Sequence, residues 1–305
     1  MSTSLFHVPA LAGAVEEWVV GGRRAVDATV GGGGHAELLR AAGAQVLAID
    51  RDPHALAAAQ TRLGDRDVTY LHASFASAQA LAAIQAFRPD RILLDLGVSS
   101  HQLDDSTRGF TFRPGAPLDM RMTPGEGLTG ADILNTGTES ALTDLFKNQA
   151  DEPRARALAR IVIRRRQHEP LLTSDDFVNA IREALGARSG PPDFARLFQA
   201  VRIAVNGEDE QLERALPALR DALVPGGRIA VITYHSGEDR LVKNAFRDWA
   251  KSCICPPRQP ICTCRGRSLG RLLSKKGVTA AAPEVAANPR ARSAKLRAFE
   301  TVDGR

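Results

Sequence analysis

The chain has 305 residues, of which 44% are hydrophobic and 25% are charged, a composition typical of globular proteins and not of disordered or fibrous ones. We find no signal-peptide pattern at the beginning and no apolar run of about eighteen residues, so we expect a cytoplasmic protein without a membrane span. The net charge of +5 is unevenly placed, because residues 251–305 contain twelve Lys and Arg against three Asp and Glu. Such a basic tail indicates either a polyanionic partner such as nucleic acid or a solvated charged segment.

Short apolar segments alternate with helical patterns in the first hundred residues. Strands are predicted over residues 23–29, 44–50, 66–73 and 89–97. Helices are predicted around residues 36–42 and over 53–64, where Pro53 begins the helix and Gly64 ends it. Strands that alternate with helices indicate a parallel sheet with helices on both faces, so we predict a doubly wound, Rossmann-like α/β fold.

The alternation stops near Phe110. Helical patterns dominate from there to residue 206, and a helix, a Pro-Gly-Gly turn and a fifth apolar strand return within residues 209–236. We therefore predict a discontinuous α/β domain, residues 1–109 and 207–305, interrupted by a helical insertion over residues 110–206. The chain is irregular and basic after Ala250, and the stretch "AKLRAFETV" predicts a last strand.

Four consecutive glycines, Gly31 to Gly34, stand where the first strand passes into the first helix. Glycines at this place let backbone N–H groups approach a ligand, and the helix N-terminus favours a negative group. A phosphate-binding P-loop would require Lys followed by Ser or Thr, whereas His35 and Ala36 follow here, which disfavours ATP hydrolysis.

Asp50 ends the second strand, nineteen residues after Gly31. A carboxylate at this position can accept both hydroxyls of an adenosine ribose. It could instead cap the following helix, although Asp52 is placed to do so. The loop and the acid together favour an adenosine cofactor, but they do not distinguish NAD from S-adenosylmethionine.

The stretch "DLGVSSHQLDDSTRGFTFRPGAPLDMRM", residues 95–122, narrows the choice between these two cofactors. Asp95 ends the fourth strand, beside the switch point where doubly wound sheets bind ligands. Together with "VDATVGGGGH", "AIDRDP", "FQAVRIAVNGE", "ITYHSGEDR" and "NPRARSAKLR", this stretch closely resembles the bacterial small-subunit ribosomal RNA (cytosine-N4)-methyltransferases of the MraW/RsmH family. The resemblance extends from about His7 to Arg297.

The resemblance implies a class I S-adenosylmethionine-dependent methyltransferase fold. It implies methylation of the N4 amine of a cytidine in the decoding region of small-subunit (16S) rRNA, within an assembled or nearly assembled subunit. The implied contacts with S-adenosyl-L-methionine are Gly33, Gly34, His35, Asp50, Phe75, Asp95 and Gln102. Two positions depart from the family pattern, since Gly237 follows His-Ser where an apolar residue is common and His101 stands where Pro is common.

The implied chemistry requires positioning, because the lone pair of an exocyclic cytosine amine is delocalised into the ring. We take Asp95 as the first candidate to accept a hydrogen bond from the amine or to stabilise the sulfonium. Tyr234, His235 and Ser236 end the predicted fifth strand and could stack on the base or hydrogen-bond with it. His235 could instead cap the next helix.

Two further features each leave two interpretations open. Six arginines lie on one predicted helix of the insertion and could face RNA or form a solvated face: Arg154, Arg156, Arg160, Arg164, Arg165 and Arg166. The four cysteines, Cys253, Cys255, Cys262 and Cys264, form the pattern C-x-C-x₆-C-x-C and could bind zinc or remain thiols. We assign no metal to catalysis.

Two other classes of protein share part of this pattern. A nicotinamide-dependent oxidoreductase would explain the glycine loop and Asp50, but not the stretch that follows Asp95 or the basic tail. A non-enzymatic RNA-binding protein on the same fold would not require Asp50 and Asp95 to be retained.

Overall fold

The computed structural model of the chain describes residues 9–256, 258–259, 261 and 263–302. These residues form two compact units, one within residues 1–97 and 209–305 and the other over residues 98–208. The first boundary lies earlier than the predicted 109/110. The backbone explains this difference, since Met120 N–H donates to Arg108 O at 3.1 Å and ties the stretch after residue 97 to the second unit.

The helices and strands follow one another in this order. The first unit begins with α1 (Ala12–Val19), β1 (Arg24–Asp27), α2 (Gly34–Ala41), β2 (Gln45–Asp50), α3 (Pro53–Leu63), β3 (Val68–His72), α4 (Ala78–Phe87) and β4 (Arg91–Asp95). The second unit contains α5 (Ser100–Asp104), a 3₁₀ helix (Ser106–Arg108), α6 (Gly130–Thr136), α7 (Glu139–Ala150), α8 (Ala155–Arg166), α9 (Ser174–Leu185) and α10 (Pro191–Asn206). The first unit resumes with α11 (Glu208–Ala222), β5 (Arg228–Thr233), α12 (Ser236–Ala250), β6 (Gly270–Leu272), β7 (Val278–Thr279), α13 (Ala282–Ala287), a 3₁₀ helix (Pro289–Ser293) and β8 (Lys295–Thr301).

The sheet of the first unit has the order β3-β2-β1-β4-β5-β8-β6, and β7 pairs with β8. The five strands from β3 to β5 are parallel, whereas β8 is antiparallel to β5. Strand β4 is apolar along most of its length, as expected of a central strand that is covered on both faces. The predicted doubly wound α/β fold is confirmed, and the predicted last strand corresponds to β8.

Each face of the sheet carries its own apolar core. On one face α1, α2 and α3 pack against β1 and β2, with Leu39 and Ala59 fully buried. On the other face α4, α11 and α12 pack against β2, β4 and β5, with Ile84 and Phe246 buried. The predicted limits of α3 are correct because Asp52 caps it, Pro53 stands at its first position and Gly64 follows its last residue.

The second unit has a separate core made by its own helices. Phe146, Phe177 and Phe198 pack together there, with the rings of Phe177 and Phe198 5.1 Å apart. Thr129 and Thr173 begin helices as capping-box residues, which explains why these helices start where they do. Among the helices that the structure describes, none combines the length and the apolar character that a membrane crossing requires.

Candidate active site

Strands β1, β2, β4 and β5 end at the same edge of the sheet because they run parallel. Their last residues are Asp27, Asp50, Asp95 and Thr233. The strand order reverses between β1 and β4, since the chain leaves β1 towards β2 and leaves β4 towards β5. Doubly wound sheets bind their ligands at such a switch point, and here an aspartate stands on each side of it.

The glycine loop connects β1 to α2 at this edge. Gly31 and Gly33 have φ angles of 50° and 82°, in the left-handed region that favours glycine. Gly33 is buried, its N–H donates to Val30 O at 2.8 Å, and a Cβ there would lie 3.2 Å from the Cα of Ala59. Gly33 therefore shapes the loop and lets α2 pack against α3, while Gly34 begins α2.

Asp50 fastens the glycine loop to the end of β2. One carboxylate oxygen accepts from the N–H of Gly31 at 2.9 Å, and the other accepts from the N–H of Asp52 at 2.9 Å. Burial raises the pKa of Asp50 to about 6, although these N–H donors act in the opposite direction. Each oxygen keeps a lone pair for a further donor, such as a hydroxyl group. Asp52, not Asp50, caps α3.

Asp95 is held from two sides. Its Oδ1 accepts from the hydroxyl of Tyr234 at 2.9 Å, and its Oδ2 lies 3.4 Å from Nδ1 of His35. The other ring nitrogen of His35 lies 2.8 Å from the carbonyl oxygen of Ala10, which can only accept, so Nε2 carries a proton. Burial raises the pKa of Asp95, whereas His35 and Tyr234 act to lower it. His35 is thus a buried neighbour of this carboxylate, with about 5% of its surface exposed.

Asp27 is a site residue that the sequence analysis did not single out. It is fully buried, and its Oδ2 has no hydrogen-bond partner among the described residues. Its pKa is raised to about 7, chiefly by burial and also by the charges of Asp95 and Asp50, whereas His35 acts to lower it. The available signal was a carboxylate that ends an apolar strand directly before the glycine loop. A buried polar atom without a partner at a ligand edge is a candidate ligand contact.

The three residues after β5 differ in their contacts. The hydroxyl of Tyr234 contacts Asp95. His235 caps α12, and its Nε2 lies 3.1 Å from the carboxylate of the buried Glu238. Ser236 is exposed at the first turn of α12. The structure therefore supports the capping interpretation of His235, and it identifies Tyr234 as the residue of this group that is coupled to Asp95.

The other two predicted cofactor contacts, Phe75 and Gln102, have partners in their own parts of the fold. Phe75 follows β3 and packs, half-buried, against the core that contains α4 and α11. Gln102 belongs to the second unit, where its side-chain oxygen accepts from the N–H of Ser99 at 2.9 Å. Their predicted contacts with the cofactor stay predictions.

The six arginines of the insertion have partners within the second unit. Glu139 accepts from Arg156 and Arg160 at 3.1 and 3.0 Å, and Glu183 pairs with both Arg164 and Arg165. The remaining two bind backbone oxygens: Arg166 donates to Leu134 O and Gly137 O at the end of α6, and Arg154, which precedes α8, donates to Leu185 O. These contacts give the arginines a structural role, which the sequence pattern could not distinguish from RNA contact.

Comparison with known proteins identifies the family. The model of the MraW methylase family matches residues 5–302. The chain is 54% identical to the Ribosomal RNA small subunit methyltransferase H of Gemmatimonas aurantiaca over 304 residues, which cover 98% of this chain and 96% of that protein. It is 45% identical to the protein of the same name from Heliobacterium modesticaldum, over 91% of this chain and 92% of that protein.

Among solved structures, an rRNA methylase from Streptococcus thermophilus aligns with 96% of this chain and 94% of its own, at a TM-score of 0.41 and 10% identity. The family assignment comes from the sequence matches, which span nearly the whole chain at high identity. They confirm the resemblance drawn from the sequence motifs. The chain belongs to the MraW methylase family and is a methyltransferase.

Proposed function

We propose that the protein transfers the methyl group of S-adenosylmethionine to the exocyclic N4 amine of a cytidine in the decoding region of small-subunit rRNA. Family membership carries the methyltransferase activity, its S-adenosylmethionine donor and an rRNA substrate. The observation that supports a cytidine amine as the methyl acceptor is the position of Asp95, at the switch point of the sheet and held by Tyr234 and His35.

The charge at the strand edge suits this methyl donor. S-adenosylmethionine carries a positive sulfonium and a positive amino group. Asp27 and Asp95 place buried carboxyl groups on the two sides of the switch point, where a nearby cation would favour their ionised form, and Asp50 offers acceptor positions for a ribose diol. Opposite charges attract strongly where water is excluded. We propose that Asp27 and Asp95 face the cationic end of the donor and that Asp50 binds its ribose.

The glycine loop would hold the carboxylate of the donor. Gly34 is the first residue of α2, where free N–H groups favour an anion. We expect Gly34→Val to weaken binding of S-adenosylhomocysteine more than Gly32→Ala does, because no described atom lies within 4 Å of a Cβ at Gly32. Calorimetric titration of both folded variants measures this. Equal affinities would remove Gly34 from the donor site.

Asp95 would act on the cytosine amine by accepting a hydrogen bond from it. Such a bond orients the amine so that its lone pair meets the methyl group in line with the breaking C–S bond. The N–C bond forms, the C–S electron pair stays on sulfur, and the proton that the amine then loses passes to the carboxylate of Asp95 and on to solvent. The Tyr234 hydroxyl fixes the carboxylate for this task, so no side chain has to rearrange during the reaction.

No nucleophilic cysteine is needed for this reaction. All four cysteines of the chain lie between residues 253 and 264, far in sequence from the strand ends that form the site. Methylation at carbon 5 of cytosine uses a cysteine nucleophile, so this distribution supports amine chemistry. Membership of the methylase family removes the oxidoreductase alternative. A non-enzymatic RNA-binding protein would gain nothing from carboxylates whose burial raises their pKa.

The decisive experiment is methyl transfer from labelled S-adenosylmethionine to small ribosomal subunits that lack the modification, followed by nucleoside analysis. We expect label in N4-methylated cytidine, and more of it with assembled subunits than with free rRNA. Label at carbon 5 or in another nucleoside would contradict the proposed target. Equal labelling of free rRNA would contradict the proposed partner, the assembled or nearly assembled subunit.

The helical second unit is proposed to recognise RNA, and its paired arginines make this testable. If Arg164 and Arg165 contact phosphates, replacing both with Gln lowers the slope of log affinity against log salt by about 1 to 2. An unchanged slope would confine these arginines to their contact with Glu183. Ser189→Ala, in the same unit, is the control.

The cytoplasmic location of the protein stays a prediction.

A further inference from the structure

A long loop joins α12 to β6 on the first unit. Residues 251–269 contain no helix or strand where the structure describes them, and none of the described residues among them is buried. Ile254 and Ile261 are 48% and 75% exposed. The two ends of the loop are tied together, because Leu269 N–H donates to Trp249 O at 2.8 Å. Loops of this length without secondary structure are uncommon in compact domains, so something other than apolar packing must order this one.

Three thiols converge inside this loop. The sulfur atoms of Cys253, Cys255 and Cys264 all lie within 4.8 Å of one another, and those of Cys253 and Cys264 are 3.8 Å apart. Zinc binds thiolates tetrahedrally at about 2.3 Å, which places neighbouring sulfurs about 3.8 Å apart. The spacing therefore fits thiolates that share one ion. Residues eleven apart in sequence meet here without a core to bring them together.

The backbone around these sulfurs favours thiolates. The N–H of Ile254 donates to the sulfur of Cys264 at 3.3 Å. The N–H groups of Thr263 and Cys264 also donate hydrogen bonds to Cys255. A thiolate is the form that binds metals. Adjacent thiolates repel one another until a cation joins them, so N–H donors around a thiol cluster are the surroundings that a metal site requires.

We propose that Cys253, Cys255 and Cys264 bind a structural zinc ion that closes the loop over residues 251–269. Thiolates are soft ligands, and a compact group of them around a single point suits zinc. A tetrahedral ion takes a fourth ligand. Cys262 lies outside the described residues, and the proposal is made for the three described thiols. The proposal does not depend on the donor site or on RNA.

Metal content is the first test, on the full chain purified under reducing conditions without a metal-binding tag. We expect about one zinc ion per chain. Substitution with cobalt should give the absorption of thiolate-bound Co²⁺. Because every cysteine of the chain lies in this segment, a thiol reagent reports on this site alone. Protein that contains no zinc and binds no added Zn²⁺, that contains iron instead, or whose thiols are paired in disulfides would overturn the proposal.

Single variants locate the ion. Cys253→Ser, Cys255→Ser and Cys264→Ser should each lose zinc, whereas Ser252→Ala, an exposed neighbour in the same loop, should keep it. A folded triple variant, with Cys253, Cys255 and Cys264 all replaced by Ser, that keeps its zinc would place the ion elsewhere and overturn the proposal.

Limited proteolysis tests the structural role. Trypsin cleaves after Arg258 and Arg267, which are exposed in this loop. Removal of zinc by a chelator should speed cleavage there at least tenfold, about the factor that corresponds to 1.4 kcal/mol, while circular dichroism of the α/β unit stays unchanged. Cleavage at the same rate with and without zinc would exclude a structural ion.

Discussion

The two units of this protein use charged side chains in opposite ways. At the sheet edge of the first unit, carboxylates lie close to one another, and burial raises the pKa of Asp27 to about 7. In the second unit, carboxylates are shared by arginines, as Glu183 is by Arg164 and Arg165, which lowers its pKa. Like charges that accumulate in a buried place destabilise the fold, whereas paired charges on a surface support it weakly. The first arrangement therefore marks the candidate active site, and the second gives the arginines partners within their own unit.

The sharpest way to test this difference is to neutralise Asp95. Asp95→Asn keeps an acceptor for the hydroxyl of Tyr234 but removes the negative charge. We expect methyl transfer to fall by about 100- to 1000-fold with the thermal midpoint nearly unchanged, since the lost interaction is one made in the transition state. Single-turnover reactions with unmodified small subunits measure the rate of methyl transfer.

Two further variants control this result. Tyr234→Phe leaves the carboxylate in place and should cause a smaller loss, and Asp95→Ala should be as inactive as Asp95→Asn. Turnover close to that of the unaltered protein in a well-folded Asp95→Ala would remove Asp95 from the mechanism.

The cost of the buried charge can be measured at Asp27. Its pKa is raised from 3.8 to about 7, so between these values the native state binds more protons than the unfolded state, and stability falls as pH rises. Asp27→Asn removes this dependence. We expect the variant to be more stable than the unaltered protein at pH 8, by as much as about 4 kcal/mol at about 1.4 kcal/mol per pKa unit, and equally stable at pH 4.

Chemical denaturation over this pH range makes the measurement. The exposed Asp65 gives the matched control, because Asp65→Asn should leave the profile as it was. A difference between Asp27→Asn and the unaltered protein that stays constant with pH would show that Asp27 does not carry the buried charge.

Neighbouring positions of the glycine loop should differ in how much a side chain destabilises the fold. Gly33→Ala forces a side chain into the left-handed region and brings a Cβ to 3.2 Å from the Cα of Ala59. We expect a loss of about 2 kcal/mol in the free energy of unfolding. Gly32→Ala meets no described atom within 4 Å and should be close to neutral. Urea denaturation measures the free energy of unfolding of both variants, and equal values would contradict the packing argument.

The smallest effect is expected in the second unit. Replacing Glu183 by Gln removes the partner of Arg164 and Arg165, which are partly exposed. Exposed ion pairs contribute about 0.2 to 1 kcal/mol, and salt screens them. A double-mutant cycle with Arg165→Gln at low and high salt should give a coupling within that range. Glu169→Gln serves as the exposed control. A coupling well above the range would mean that this surface is more desolvated than it is in the structure.

The sequence predicts only those site residues whose place at a strand end or in a loop is indicated by their neighbours in the chain. Asp50 and Asp95 follow apolar strands, and the glycine run follows β1, so their common edge could be inferred from the alternation of strands and helices. Asp27 has the same signal, but its complete burial and the charges of His35 and Asp95 near it follow only from the folded structure. The sequence leaves two roles open for His235, and its contacts with Glu238 support capping, while a contact with the base stays a prediction.

Local pattern determined the fold class, the limits of α3 and the family, because periodicity, helix caps and motifs act between residues close in the chain. Tertiary structure alone decided which charges meet. Asp95 and Tyr234 are 139 residues apart, and Arg165 and Glu183 lie on different helices. Such contacts follow from strand order and helix packing. They give the arginines of α8 partners on neighbouring helices, and they bring together three thiols that are separated in the sequence.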